Sequence, residues 1–330
     1  MNQENVDDAG RRGHGMTRAE FLRLAMASMV GLGLSGTGRA ADAPAPAPAP
    51  PKPMGPMHTR PIPSSGEALP VIGVGTWQTF DAGPDEAERA PLRETLKVLF
   101  AAGGTVIDSS PMYGRSEAVA GELLSELKAH DRAFVATKVW TRGREEGISQ
   151  MRKSMELLRD PRIELMQIHN LVDWRTHMKT LRGWKSEGLI RYLGITHYTA
   201  SAFGELEAIM RAEPLDFVQF NYSLADRAAE QRLLPLAAER GIAVLVNQPF
   251  GGGGLLRSLS GTPLPGWASE IDCSSWPQIL LKYVLGHPAV TCVIPGTAKP
   301  GHMMENCHAG TGIVPDGAMQ KTMAAWWKNR

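Results

Sequence analysis

Residues 192–221, YLGITHYTASAFGELEAIMRAEPLDFVQFN, contain a short apolar run, an amphipathic stretch and a second short apolar run. The two runs, Tyr192–Thr196 and Phe217–Asn221, have the length and composition of buried strands. The stretch between them, Ala202–Arg211, has the spacing of an amphipathic helix, and Pro214 follows shortly after its end. A strand, a helix and a second strand in this order predict a βαβ unit with parallel strands.

The same alternation continues along the chain from Thr59 onward. The other predicted strands are Val71–Gly75, Thr105–Asp108, Phe134–Lys138, Leu165–His169, Ala243–Asn247 and Thr291–Ile294. The other predicted helices are Leu92–Ala102, Glu117–Leu127, Ser149–Leu158, Arg175–Ser186, Gln231–Glu239 and Trp276–Leu285. Together these elements predict an α/β fold, a single-domain (β/α)₈ TIM barrel over residues 58–330, because such barrels need about 250 residues.

A doubly wound parallel sheet is the competing architecture for alternating strands and helices. Its dinucleotide fingerprint, GxGxxG, directly follows the first strand. Here the corresponding segment, Val71–Trp77 (VIGVGTW), has no third glycine at the start of a helix. The sequence therefore favours the barrel.

The N-terminal part of the chain differs from the rest. Arg11, Arg12, Arg18 and Arg23 make the start basic, and residues 24–34 (LAMASMVGLGL) form an apolar run that is too short to span a bilayer, which needs about 20 residues. This pattern predicts a signal peptide over residues 1–42, cleaved near 40–43. An Ala/Pro-rich linker, 43–57, follows, so that the barrel begins at residue 58.

The segment TRAEFLR, residues 17–23, resembles a twin-arginine export signal whose second arginine is replaced by Ala19. A Sec-type signal and an uncleaved anchor are the alternatives. We therefore expect a periplasmic or otherwise exported protein that meets the membrane only in transit. It would be cytoplasmic if residues 1–42 are not a signal.

Charge and cysteine content exclude several kinds of partner. The chain carries 35 basic and 34 acidic side chains, a net charge of +1, which gives no electrostatic reason to expect binding to nucleic acid. The cysteines, Cys273, Cys292 and Cys307, form no CxxC motif, so we predict packing thiols and no metal site. The sequence does not predict an oligomeric state.

Polar residues end three consecutive predicted strands. Asp108 ends the second strand, Lys138 the third and His169 the fourth, and Tyr113 lies in the loop after Asp108. The catalytic residues of such barrels lie at the carboxyl ends of the strands, so we expect these four side chains to lie together. Asp108, Tyr113 and His169 alone each have an ordinary explanation, as a cap, a rim aromatic or a satisfied core residue, whereas a lysine that ends so apolar a run should need a charge partner. Their spacing on adjacent strands favours a site.

The four side chains suit carbonyl reduction. Hydride attack on a carbonyl carbon builds negative charge on the oxygen, which must then be protonated. A phenol has an ordinary pKa near 10, so we predict that the ammonium of Lys138 lowers the pKa of Tyr113. Asp108 would hold Lys138 charged, and His169 would donate a hydrogen bond to the carbonyl oxygen.

Six segments, VIDSSPMYGRSE, FVATKVW, LMQIHN, YLGITHY, FVQFNYS and VIPGTAKPGHMMEN, resemble in order the signature segments of the aldo/keto reductase superfamily. The resemblance covers nearly all of residues 60–310. It implies a (β/α)₈ barrel that binds NADP(H) without a Rossmann fold, reduces a small carbonyl substrate and has Asp108, Tyr113, Lys138 and His169 as its catalytic tetrad.

The resemblance also implies cofactor contacts. The residues it assigns to the nicotinamide end and the following loop are Thr196, His197, Gln219, Asn247, Pro249, Phe250 and Gly251; those at the adenosine end are Thr297, Lys299, Glu305 and Asn306. His197 replaces the usual asparagine, and Asn247 replaces the usual aromatic ring. Gly296 and His302 lack the positive charge that the family has for the adenosine phosphate. The resemblance therefore implies NADP(H) as the preferred cofactor, with NAD(H) as the alternative.

Two further groups lie in loops after the strands. Trp77, Trp140 and Trp174 are predicted to line an apolar substrate pocket. The run 250–255 (FGGGGL) lacks the Lys-Ser/Thr of a Walker loop, which favours a flexible loop, with residues 251–255 and Arg257 as secondary candidates for the cofactor pyrophosphate.

Two other functions compete with a reductase. A non-catalytic nucleotide sensor on the same barrel would not need a phenol paired with a lysine. An isomerase or metal hydrolase barrel would need other groups, such as a carboxylate-rich metal set, at the strand ends, and the sequence offers no such set.

Overall fold

The structure, a computed structural model, describes residues 55–330. Its strands are β1 (Thr59–Pro61), β2 (Ala68–Pro70), β3 (Val74–Gly75), β4 (Val106–Asp108), β5 (Phe134–Val139), β6 (Ile163–His169), β7 (Ile190–Thr196), β8 (Phe217–Asn221), β9 (Ala243–Asn247) and β10 (Cys292–Val293). Its α-helices are α1 (Glu86–Ala101), α2 (Ser116–Glu126), α3 (Arg144–Leu158), α4 (Trp174–Ser186), α5 (Phe203–Ala212), α6 (Leu233–Arg240), α7 (Gly254–Ser258), α8 (Trp276–Gly286), α9 (Pro300–Ala309) and α10 (Gly317–Lys328).

The eight strands β3 to β10 pair in chain order, and every pair is parallel. Parallel bridges between Ile72 and Val293 and between Gly75 and Gly296 join the first strand to the last and close the ring. We call this junction the seam. It needs small residues, because a Cβ atom on Gly75 would lie 2.9 Å from the carbonyl oxygen of Ile294. The predicted (β/α)₈ barrel is confirmed.

Two layers of apolar side chains hold the barrel together. One layer fills its interior and consists of Ile62, Leu69, Val106, Phe134, Ala136, Leu165, Tyr192, Phe217, Ala243, Leu245, Cys292 and Ile294. The larger layer lies between the sheet and the surrounding helices. Most strands carry buried side chains on both faces, which explains why their sequences are continuous apolar runs.

The antiparallel hairpin of β1 and β2 was not predicted. Ile62 and Leu69 of this hairpin join the interior layer beside Tyr192. The Tyr192 hydroxyl lies 2.7 Å from both Ser65 Oγ and Glu67 Oε2, which ties the hairpin to the barrel. The hairpin therefore closes the end of the barrel at which the strands begin.

Several predicted helices begin earlier than expected. Helix α1 begins at Glu86, because the Asp85 side chain accepts a 2.9 Å hydrogen bond from the Ala87 N–H and caps the first turn. The prediction started after Pro91, which lies inside this helix. Gly103, Gly188 and Gly241 lie just past helix ends, with positive φ angles of 89°, 77° and 63°.

The predicted signal peptide, residues 1–42, and most of the linker, 43–57, lie outside the described residues. Within residues 55–330, no helix is long and apolar enough to cross a membrane.

Candidate active site

The predicted tetrad assembles at the carboxyl ends of β4, β5 and β6. We call the carboxyl ends of the barrel strands, together with the loops that follow them, the mouth of the barrel. Lys138 Nζ donates to Asp108 Oδ2 at 2.7 Å and to the Ser109 carbonyl at 2.6 Å. Lys138 is fully buried and Asp108 is 3% exposed. A buried ion pair needs hydrogen-bond partners within the protein, and Lys138 Nζ has two of them here.

Two glutamines donate the other hydrogen bonds that the Asp108 carboxylate accepts. Its Oδ1 atom accepts a hydrogen bond from Gln219 Nε2 at 3.0 Å and another from Gln167 Nε2 at 3.2 Å. The Thr196 hydroxyl donates to Gln219 Oε1 at 2.9 Å. A continuous network thus joins Lys138 to two of the residues predicted to hold a nicotinamide. The sequence analysis missed Gln167, although a polar residue inside the run LMQIH was a signal for it.

Tyr113 lies against this ion pair. The centroid of its ring is 5.2 Å from Lys138 Nζ and 5.8 Å from the centroid of the His169 ring, which it meets edge to face. Burial and the negative charge of Asp108 raise the pKa of Tyr113 well above 10.0. The predicted lowering of this pKa is therefore wrong, because burial and the charge of Asp108 set its direction.

His169 is a neutral imidazole at physiological pH. Burial, and then the positive charges of Lys138 and His197, lower its pKa well below 6.5. Its Nδ1 atom lies 3.0 Å from the Ser110 hydroxyl, and that hydroxyl also accepts the Met112 N–H at 3.5 Å. When Ser110 donates to Nδ1, the proton of the ring is on Nε2. The sequence analysis did not select Ser110.

The predicted nicotinamide residues end neighbouring strands. Thr196 and Gln219 are directly opposite in the β7–β8 register, and both are buried. His197 is half-buried, its ring stacks on that of Tyr198, and its Nδ1 atom lies 3.2 Å from the Thr199 backbone nitrogen, which donates to it. Asn247 ends β9, directly opposite Asn221 of β8.

Several buried amide oxygens at these strand ends have no hydrogen-bond partner. They are Gln167 Oε1, Asn170 Oδ1, Asn221 Oδ1 and Asn247 Oδ1. A buried acceptor without a partner costs about 1–3 kcal/mol, and native proteins contain few of them. Acceptors of this kind fit a bound group that carries N–H or O–H donors, as a carboxamide or a ribose does.

The loop after β9 contains the remaining glycine-rich candidates. Pro249 is buried and Phe250 is half-buried and packs on the core. Gly251, Gly252 and Gly253 follow, with positive φ angles of 55°, 61° and 83°. The Gly251 and Gly253 N–H groups donate to the carbonyls of Gln248 and Phe250 at 2.9 Å and 3.0 Å, but a loop without side chains lets an anion approach its backbone closely. We call residues 250–253 the glycine loop.

The adenosine-end candidates lie after β10. Thr297 is buried, and its hydroxyl accepts the Lys299 N–H at 3.1 Å. Lys299 is exposed and directly precedes α9, which carries the half-buried Glu305 and the buried Asn306. A hydroxyl and a cation beside the start of a helix suit a phosphate group.

A model of the aldo/keto reductase family matches residues 71–316. The chain belongs to the aldo/keto reductase family. Membership supports an oxidoreductase, and it agrees with the network of polar residues at the mouth of the barrel.

Two relatives resemble the chain over different lengths. A relative named NADH-specific methylglyoxal reductase, from Escherichia coli (strain K12), is 28% identical over 305 residues, which covers 76% of this chain and 92% of that protein. The aldo-keto reductase YhdN from Bacillus subtilis (strain 168) is also 28% identical, over 53% of this chain and 56% of that protein.

Solved structures of aldo/keto reductases share the fold. One from Klebsiella pneumoniae, in complex with NADP and acetate, has a TM-score of 0.68 and 25% sequence identity; the match covers 79% of this chain and 93% of that one. Another from the same organism, in complex with NADPH, has a TM-score of 0.69 at 24% identity.

The three tryptophans predicted for the substrate pocket have different environments in this aldo/keto reductase. Trp140 is half-buried, and the centroid of its ring lies 6.5 Å from that of His169. Trp77 is half-buried two residues after β3. Trp174 begins α4 and packs on the helix layer, with the guanidinium of Arg175 4.4 Å from the centroid of its ring.

Metal and thiol chemistry has little support. Among the residues that the structure describes, no group of three or more His, Cys, Asp or Glu side chains could hold a metal ion. Cys273, Cys292 and Cys307 are buried and free, and burial raises the pKa of Cys273 and of Cys307 to about 12.

Proposed function

We propose that the protein reduces an aldehyde or ketone to an alcohol, with Tyr113 as the proton donor. The observation that carries this proposal is the position of the Tyr113 ring between a buried ammonium and a neutral imidazole, at 5.2 Å and 5.8 Å, in a barrel of the aldo/keto reductase family. A nicotinamide cofactor, when bound, supplies the hydride for the carbonyl carbon.

The chain's own residues supply the proton and the orientation. Tyr113 holds its proton at neutral pH, because its pKa is raised, and it is the group that gives this proton to the carbonyl oxygen. His169, neutral and bonded through Nδ1 to Ser110, donates from Nε2 to the same oxygen. The ion pair with Asp108 holds the Lys138 ammonium 5.2 Å from the centroid of the phenol ring.

We propose NADP(H) as the preferred cofactor and NAD(H) as the alternative. The amide oxygens that lack donors fit a carboxamide, the glycine loop fits a pyrophosphate, and Lys299 fits the additional phosphate of NADP(H). Structural neighbours contain NADP or NADPH, whereas one relative is named for NADH. Lys299→Ala should therefore weaken NADPH binding about tenfold and leave NADH binding unchanged, since only NADPH carries the phosphate.

The test of the activity is a fluorescence titration with NADPH and NADH, followed by single-turnover measurements with a panel of aldehydes. We expect Tyr113→Phe to bind NADPH as the wild type does and to lose about 10²- to 10⁴-fold in the transfer rate, which is the usual contribution of a general acid. Binding without transfer to any aldehyde would instead favour a nucleotide sensor. Failure to bind either nucleotide would overturn the proposal.

The destination of the protein is a separate proposal. The basic start and the apolar run of residues 24–34 support export. Fractionation of cells that express the full chain should find it outside the cytoplasm and shortened by about 40 residues, the distance to the predicted cleavage site. Full-length protein confined to the cytoplasm would overturn export.

A further inference from the structure

The segment that follows β5, residues 140–143, is held in place by side chains from two helices; we call it the Trp140 segment. The Trp140 N–H donates to Gln150 Oε1 at 2.6 Å, and Gln150 Nε2 donates to the Trp140 carbonyl at 3.2 Å. Next along the chain, His177 Nε2 lies 2.7 Å from the Thr141 carbonyl oxygen. The Gly143 N–H donates to Asp173 Oδ2 at 2.8 Å.

Gln150 makes the hydrogen bonds to the Trp140 backbone that a neighbouring strand would otherwise make. The pairing of β5 with β6 ends at Val139, opposite Ile168, so the backbone of Trp140 is beyond the ladder. A backbone N–H and C=O that leave a sheet need other partners. The amide of Gln150, on α3, supplies one donor and one acceptor to the same residue.

The constraint reaches the catalytic residues. Trp140 is half-buried, and its ring lies 6.5 Å from that of His169, centroid to centroid, at an interplanar angle of 59°. Asp173 and His177 flank the first turn of α4, which begins with Trp174. The Trp140 segment and the start of α4 are therefore joined as one wall beside His169.

A cavity lies next to the Trp140 segment. A cavity of about 650 Å³ is lined by Gln150, by Thr141 of the Trp140 segment and by Pro111 of the loop that carries Tyr113. Thr141 and Gln150 therefore border open space on this side of the segment.

We propose that Gln150 is a positioning residue that sets the place of Trp140 and thereby determines specificity for carbonyl compounds with a large, flat apolar group. Gln150 acts through the backbone of Trp140 and does not touch the reacting atoms. The inference rests on the proposed function. A ring held at a fixed distance from His169 favours substrates that stack on it, whereas a small aliphatic aldehyde makes little use of it.

The test compares benzaldehyde with propanal in Gln150→Met, which keeps the length of the side chain and removes both hydrogen bonds. We expect kcat/KM for benzaldehyde to fall about tenfold, mainly through KM, while kcat/KM for propanal stays within about twofold. Gln150→Glu keeps the acceptor for the Trp140 N–H. Its kcat/KM for benzaldehyde should lie between the values for Gln150→Met and the wild type. Hydrogen exchange at the Trp140 amide should be faster in Gln150→Met.

Gln320→Met is the matched control, because Gln320 Nε2 also donates to a backbone carbonyl, that of Tyr283, at 2.9 Å. It should leave the benzaldehyde-to-propanal ratio unchanged. If the wild type is active and both Gln150 variants keep its benzaldehyde-to-propanal ratio, the inference is overturned and the proposed function is not. A wild type without turnover would overturn the proposed function and, with it, the inference.

Discussion

The two halves of the barrel mouth differ in the groups they present. On the β4–β6 side, the charged atoms of Asp108 and Lys138 have partners within the protein and the Trp140 segment is fixed by side chains, although the amide oxygens of Gln167 and Asn170 have no partner. On the β8–β9 side, Asn221 and Asn247 hold buried oxygens without partners. The glycine loop follows, with three consecutive residues at positive φ.

This difference separates two tasks. Groups that must hold a proton or a charge at an exact place are finished before any other molecule arrives, as electrostatic preorganisation requires. Groups that bind a removable molecule keep part of their hydrogen-bonding capacity free. The four predictions that follow test this division, beginning with the largest expected effect.

Lys138→Met, on the β4–β6 side, should destabilise the protein strongly. The free energy of unfolding should fall by about 3–5 kcal/mol, since the substitution leaves Asp108 charged and buried without its cation. Urea denaturation measures it. The control is Lys97→Met, which breaks the exposed pair of Lys97 and Glu94 and should cost less than about 1 kcal/mol. Equal losses in the two variants would contradict the idea of a preorganised side.

Asn247→Leu, on the β8–β9 side, should weaken cofactor binding without lowering stability. It removes a buried oxygen that has no partner, so the free energy of unfolding should not fall. The Kd for NADPH should rise about tenfold, because a donor of the cofactor loses its acceptor. Fluorescence titration measures the Kd, with Asn329→Leu, beyond α10, as the control. Unchanged affinity would mean that the oxygen at Asn247 does not face the cofactor.

Gly252→Ala should weaken the glycine loop modestly. Its φ of 61° is costly for alanine by about 1–2 kcal/mol, although a Cβ atom there would meet nothing within 4 Å. We expect the Kd for NADPH to rise about fivefold with no change in the catalytic step. Gly204→Ala is the matched control, because Gly204 lies in α5 with equal space and no positive φ, and this variant should be slightly more stable.

The pH dependence should be the smallest effect. The pKa of His169 is lowered below 6.5, so the imidazole is already neutral at pH 6.5 and charges only under more acidic conditions. The pKa of Tyr113 is raised above 10.0, so its proton is retained. The single-turnover rate should therefore be flat from pH 6.5 to about 8, within the interval between the two ordinary values. An inflection there would show that one of these groups titrates in the interval.

The alternation of apolar runs and amphipathic stretches predicted the barrel, and polar residues at the ends of three runs predicted that the four tetrad side chains lie together. Asp108, Lys138 and His169 each stand out on this ground. The strands of the hairpin at the start of the barrel escaped prediction, since each has three residues and includes a proline, Pro61 or Pro70. Strands so short lack periodicity.

Other features depend on distances that sequence does not contain. The direction of the pKa shift at Tyr113 follows from the burial of its ring and then from the charge of Asp108. The contact of Gln150 with Trp140 crosses the turn between β5 and α3 and leaves no periodic signal. Sequence located the groups, and only the structure gives their partners.

The seam has a thermodynamic consequence. It joins β3 to β10 through two isolated bridges and short strands, so local opening of the barrel is least costly there. Thr297 and Lys299 lie between β10 and α9. A nucleotide bound to them and to the glycine loop after β9 would hold this edge of the ring in its closed form. Cofactor would thus act as a clasp, raising the melting temperature and slowing amide exchange at Gly73, whose N–H donates to the Val293 carbonyl across the seam at 2.9 Å.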